Sequence, residues 1–468
     1  MRRWLPFPFV LALISATAQA GEPSPELPKA APWTPCGSTA FALENPAPGA
    51  EGSKPRSLVQ GEHVLFFTAD DGVHGREPWM STGTGGRGTF LIQELHSGPT
   101  GSEPEELTRV GDRVFFTAEE PVNGRELWVS DGTATGTHLV KDLWPGPDGS
   151  YPQSLFAFEG VLYFTAGDPE HGRELWRSDG TAMGTFLVED LEPGPEGANP
   201  YLFTRTSDGS LYFVAHREGF FLSLMRINGR SKAVELLRVS NEVGVLQSLT
   251  PVGRRLFFVS GEDHDGKADL RVTSGATSVR LRTLHEPREL VAFGGRLVFS
   301  ASEEDSSAGQ EPWRSDGTPQ GTRPLRDIRP GLEGSHPSGF VLLGRRLVFS
   351  ADDGQHGREL WATDGTSLGT ALLADLVPGQ AGSNPEALTV LQGSLFFSAD
   401  TPGHGREPWV SNGTSDGTRL LSELAPGAGS SDPSEFVRSG WDVFFSATDG
   451  AHGRRLWAVP FRPSNRCD

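Results

Sequence analysis

RELWVSDGTATGT, residues Arg125–Thr137, returns along the chain at a nearly fixed interval. With its tryptophan as marker, Trp79, Trp128, Trp176, Trp313, Trp361, Trp409 and Trp457 occupy one place, and Met225 and Arg271 fill it in two degenerate copies. The steps are 49, 48, 49, 46, 42, 48, 48 and 48 residues. An aromatic pair ahead of each motif keeps the same beat, from Phe66-Phe67 through Tyr163-Phe164 to Phe444-Phe445. A self-similar period of this size marks a solenoid, propeller or array. The contents of one period choose among them: Glu386–Leu424 reads as four short strands, EALTVLQ, SLFFSAD, EPWVSN and TRLLSEL, β-branched or aromatic in content and bounded by turn residues. Four strands per repeat is the content of a propeller blade. The fold class is therefore all-β, a single β-propeller of four-stranded blades, nine in number, or eight if the irregular copies between Pro200 and Leu284 merge.

Turn chemistry explains the most regular letters. In SDGTATGT the Asp131 carboxylate accepts from a backbone N–H two residues on, while Gly132 and Gly136 supply positive φ. Asn412 in SNGTSDGT keeps the turn and loses the charge, which favours a structural role over a metal ligand. Pro78, Pro312 and Pro408 replace the Leu of ELW, and proline donates no ladder bond. That position is expected at a strand start or bulge.

The repeat resembles the bacterial ELWxxDGT family of exported repeat proteins, most clearly at Glu126–Thr133, Glu174–Thr181 and Glu359–Thr366. The resemblance implies a propeller-like fold and no catalytic residues. The copies at Leu224–Gly229 and Leu270–Gly275 depart from its pattern, having lost the Trp, the Asp and the second Gly.

Residues 1–20 carry Arg2 and Arg3, an apolar run from Trp4 to Ile14 and a small-residue ending, the pattern of a cleaved secretory signal that would leave Gly21 as the new N-terminus. The run is too short for a membrane span, and no later run reaches that length. Residues 21–35 read as a Pro-rich linker, and 36–468 as the propeller. The segment after Cys36 aligns with the fourth strand of a repeat, while the last repeat stops after its third strand, RRLWAVPF. One repeat is thus split between the termini, which suits a closed ring whose last blade the N-terminal strand completes. The two cysteines, Cys36 and Cys467, flank this junction and read as a disulfide in an exported protein. Net charge is −19, and loss of Arg2 and Arg3 makes it −21, which excludes nucleic acid and anionic membrane as natural partners.

Two constellations suggest chemistry. His74, His171, His356, His404 and His452 recur in the loop between second and third strands. A ring of imidazoles is a metal-binding pattern, but equivalent points of successive blades lie too far apart for one ion, and a His bonded within its own loop is the simpler reading. Adjacent Arg-Glu pairs such as Arg125-Glu126 recur too, and repetition favours structural, partly buried ion pairs between blades over an acid and base. No resident cofactor is expected; the weak candidates for calcium are Asp70, Asp71, Asp352 and Asp353, which lack the spacing of an EF-hand. Walker loops, nucleophile elbows, HExxH and CxxC are missing from the sequence.

The loops joining second to third strands, and those between blades, share one face and vary most in the irregular repeats, at HREGFF and GEDHDGKAD. Phe220, Phe221, Glu262, Asp263, His264 and Asp265 are the expected recognition cluster, an apolar pair beside charges. The alternative is that Phe220 and Phe221 fill the core between blades. The function expected is a noncatalytic binding or scaffold propeller outside the cytoplasm, secreted, periplasmic or at the cell surface, with an unknown protein or glycan as partner. Its rival is a glycan hydrolase or lyase with its site at the channel mouth.

Overall fold

The computed structural model describes residues 31–37, 39–43, 51–83, 88–217, 221–237, 246–261, 265–275, 277–303 and 308–467, all strand and loop apart from one short 3-10 turn at Ser464–Arg466. Residues 32–468 form one compact unit. Call the strands of each repeat a to d in chain order. In the repeat of Trp79 they are Arg56–Gln60, Leu65–Asp70, Arg76–Ser81 and Thr89–Leu91, antiparallel neighbours in that order. Strands b and c carry the packing: Phe67, Phe116, Phe213, Phe299 and Phe397 are buried, as are Trp79, Trp313 and Trp361. Each a strand touches the a strand of the next repeat, and Ser434–Ser439 of the last returns to Arg56–Gln60 of the first. The a strands therefore surround an axis, and the chain is a closed β-propeller.

Among the described residues the strands form eight sheets that carry nine repeats. Repeats five and six share one sheet of seven strands, because the 16-residue strand Ser278–Phe293 serves as strand d of one and strand a of the next. The sequence shows the cause, a step of only 42 residues between Arg271 and Trp313, which removes the loop that elsewhere separates blades.

Closure follows from the last c strand, Arg455–Pro463. Phe41 and Ala42 pair with its Ala458 and Trp457 as a strand d, and Trp33–Pro35 pairs with its far end, Trp33 opposite Pro463. Strand thus begins three residues inside the stretch that reads as linker. Cys36 and Cys467 are bonded beside this junction, their Cα atoms 5.0 Å apart. The disulfide assigns the chain to an oxidising, extracytoplasmic compartment. Among the described residues no helix is long and apolar enough to cross a membrane.

The c–d hairpin forms as its letters dictate. Asp131 Oδ1 accepts from Thr133 N at 2.8 Å, and Asn412 Oδ1 takes the same bond from Thr414 N at 3.0 Å. Gly132 has φ +94°, but Gly136 does not need positive φ. It is glycine because a Cβ there would fall 2.1 Å from the Asp131 carboxylate. The prolines of EPW lie within strand c. Pro78 O accepts from Ile92 N, so its missing N–H would also have faced strand d, the side where d strands such as His138–Lys141 bulge.

Candidate functional site

The b–c hairpins and the crossings between blades share one face, joined by the bridge of Arg125 to Gly149. The a–b turns and c–d hairpins share the other. On the first face four of these hairpins are built around an Asp–His pair. Asp71 accepts from Val73 N and His74 N at 2.9 and 2.8 Å and from His74 Nδ1 at 2.6 Å. Asp168 with His171, Asp353 with His356 and Asp449 with His452 repeat the arrangement. Burial alone would raise the Asp71 carboxyl, but the bonds from the backbone and ring of His74 outweigh it and hold the carboxyl low. The same bond pushes the His74 ring up. His404 lacks this partner, since Thr401 stands in place of Asp, and faces Glu423 at 3.3 Å instead. Four of the five histidines therefore serve their own loops, as the simpler reading had it, and His404 does not.

Asp70 Oδ1 accepts from Gly72 N, and Asp352 is split between Gly354 N and the Arg329 guanidinium at 2.7 Å. With Asp71 and Asp353 occupied as above, each calcium candidate holds its own loop through at least one oxygen, and Asp352 also meets Arg329. Among the described residues no three His, Cys, Asp or Glu side chains gather as a metal would need. Of the expected recognition cluster, residues 220 and 262–264 lie outside the described residues. Phe221 begins the c strand of repeat four, and Asp265 is exposed in the b–c loop of repeat five.

The Arg-Glu pairs differ from expectation. Neighbouring residues of a strand point to opposite faces, so the two side chains separate. Arg125 donates to Glu103 O and Thr117 Oγ1, while Glu126 turns inward, fully buried, without a cation. Six such glutamates, Glu77, Glu126, Glu174, Glu311, Glu359 and Glu407, receive the crossing that follows. Glu359 accepts from Val377 N at 3.0 Å, Ser383 N at 2.9 Å and Ser383 Oγ at 2.6 Å. Burial raises all six carboxyls, those of Glu126 and Glu174 to about 7, against the pull of the donors around them. A signal for this role is present in the sequence: a serine stands 24 residues after Glu126, Glu311, Glu359 and Glu407.

At the axial mouth on this face, a residue near the start of each a strand has positive φ, the second in seven repeats, from Ser57 (55°) through Leu202 (56°) to Glu435 (56°), with Ser248 and Glu289 in repeats five and six, and a register shift follows it. Three of these residues are glutamates that bind the next repeat: Glu435 accepts from Leu58 N, Glu106 from Leu155 N and Glu289 from Gly339 N. Glu105 and Glu386 stand at the same rim, their side chains 68% and 69% exposed and 3.7 and 3.5 Å from the guanidinium groups of Arg125 and Arg406. The rim thus carries exposed carboxylates.

No family model matches the chain. No curated protein is similar to it in sequence. Solved structures with a similar fold include peptidases. A puromycin hydrolase is 17% identical, over 74% of this chain and 58% of that one, with a TM-score of 0.39. A prolyl endopeptidase is 12% identical over 76% and 54%, at 0.42. The β-propeller domain of the Trilobed protease from Pyrococcus furiosus is 13% identical over 67% and 96%, at 0.35. The match thus spans little more than half of the first two chains. These neighbours are peptidases, where a noncatalytic scaffold or a glycan enzyme was expected.

Proposed function

We propose that the chain is a peptidase-related propeller that handles peptide substrates at its axial mouth. The observation that carries this reading is the rim itself. Inner strands turn backbone groups toward the mouth, those of Leu58, Leu155 and Gly339 already bonded to rim glutamates, and Glu105, Glu106, Glu386 and Glu435 are exposed there. That combination suits extended peptides with basic side chains, attracted by the field of a chain with net charge −19. The protein works outside the cytoplasm after removal of residues 1–20, a reading that the resemblance of its repeat to the exported ELWxxDGT proteins supports.

Fluorescence anisotropy with labelled, unstructured peptides tests the reading. Lys- and Arg-rich peptides should bind, more weakly as salt rises, and Glu105→Gln with Glu386→Gln should weaken binding about fivefold, the loss of two rim charges. Equal absence of binding for basic and acidic peptides would refute it.

A further inference from the structure

On the face opposite that mouth, the c–d hairpin of each regular repeat closes over the repeat before it. A Cβ on Gly365 would meet the Phe293 ring at 3.3 Å, one on Gly180 the Phe115 ring at 3.2 Å and one on Gly413 the Leu343 side chain at 3.0 Å. The notches that remain are small, about 70 Å³ between repeats six and seven and about 260 Å³ between seven and eight. Repeat five cannot close in this way. Its hairpin has only residues 274–277 between strands, where repeat two has 131–137, and it has lost the Asp. The uncovered space is a pocket of about 600 Å³, bordered by Ser210, Arg226, Asn228, Arg230, Arg254 and Ser274. This volume lies within the range of small-molecule sites.

The polar groups sort into those already used and those left free. Arg226 Nε donates to Glu235 at 3.1 Å, and Asn228 Nδ2 donates to the other oxygen of that carboxylate at 3.0 Å. Asp208, also on the wall, accepts from Thr206 Oγ1 and Ser210 N at 2.6 and 3.1 Å. Arg230 and Arg254 have no ion pair or side-chain hydrogen bond among the described residues, and both are exposed to the pocket opening. They approach from two repeats, Arg230 on the c–d hairpin of the fourth and Arg254 on the a–b turn of the fifth. In so acidic a chain, two unneutralised guanidinium groups at one cleft concentrate anions. Their planar forks match the oxygens of carboxylate and phosphate.

We propose that this pocket is a binding site for a small oxyanion ligand, a phosphate ester or a carboxylic acid, clamped between Arg230 and Arg254. The peptide reading of the opposite face is not needed for it. Isothermal titration of the chain from Gly21 onward, at about 0.15 M salt so that long-range surface charge is screened, uses inorganic phosphate in one arm and succinate in the other. Saturable binding at one site per chain is expected in at least one arm, and the arm that responds gives the chemical class. Arg230→Ala and Arg254→Ala should each weaken it about tenfold or more, the worth of one charge-assisted contact. Replacing residues 274–277 by DGTATGT, the hairpin of repeat two, should close the pocket and abolish binding with the thermal midpoint retained. If that graft does not fold, the two exposed point variants still decide. Saturable binding in neither arm, or binding that both arginine variants leave unchanged, overturns the proposal.

Discussion

Glu126 and its five counterparts show how one residue type shapes this chain. A carboxylate with no cation beside it organises a whole crossing between blades, because its oxygens can collect several N–H and O–H donors at once. The cost is burial, which raises the carboxyls of Glu126 and Glu174 from 4.5 to about 7. A folded-state pKa above the unfolded one favours the folded protein most below about pH 4.5, and that contribution is lost as pH rises through about 7. The shift in Glu126 corresponds to roughly 3 kcal/mol over that window. Glu126→Gln should therefore flatten the fall of the thermal midpoint between pH 4.5 and 7.5. It should also destabilise at acid pH by about 1–3 kcal/mol, since its amide cannot accept every donor that faces it. A midpoint profile parallel to the wild type would show that Glu126 does not titrate in this range. Gly136 is a second case at this scale. Gly136→Ala should cost about 1–3 kcal/mol through its clash with Asp131. With Asp131→Ala already in place the further loss should be smaller, and strictly additive losses in urea melts would show that the two side chains do not meet.

At the level of strands and hairpins, much was legible in the sequence. Alternation and turn residues located strands b and c, and SDGT specified its hairpin down to the acceptor that Asn412 conserves. What escaped has physical causes. Each a strand turns through positive φ near its start, yet Ser57, Glu106, Leu202 and Ala387 hold that conformation and none announces it as glycine would. The ring's contacts over-determine the backbone there, so residue type is a poor guide. Strand alternation alone would have separated Arg125 from Glu126, but a pair of opposite charges side by side in sequence invites the wrong partnership. The 42-residue step was visible, while the fusion of two sheets through Ser278–Phe293 depended on where hydrogen bonds continue across it. Of the expected recognition cluster, most lies outside the described residues. The open arginine pocket arose instead from a hairpin shortened on the opposite face.

For the whole molecule, closure is the decisive property. Strand pairing at Phe41–Ala42 and the Cys36–Cys467 bond act on the same junction, and the bond closes a loop of 431 residues. Loop-closure entropy for so long a loop gives about 6 kcal/mol, above the range of measured disulfides, so Cys36→Ser should cost about 2–5 kcal/mol. An unchanged thermal midpoint would mean that strand pairing alone fastens the ring. Nine repeats should close into one ring, with the fifth and sixth joined by a continuous strand. A crystallographic view down the axis tests it most directly. Nine blades, with Ser278–Phe293 bending from the outer edge of one to the inner edge of the next, is the predicted result. A ring of eight blades, or an open arc with Phe41–Ala42 unpaired from Arg455–Pro463, would contradict it.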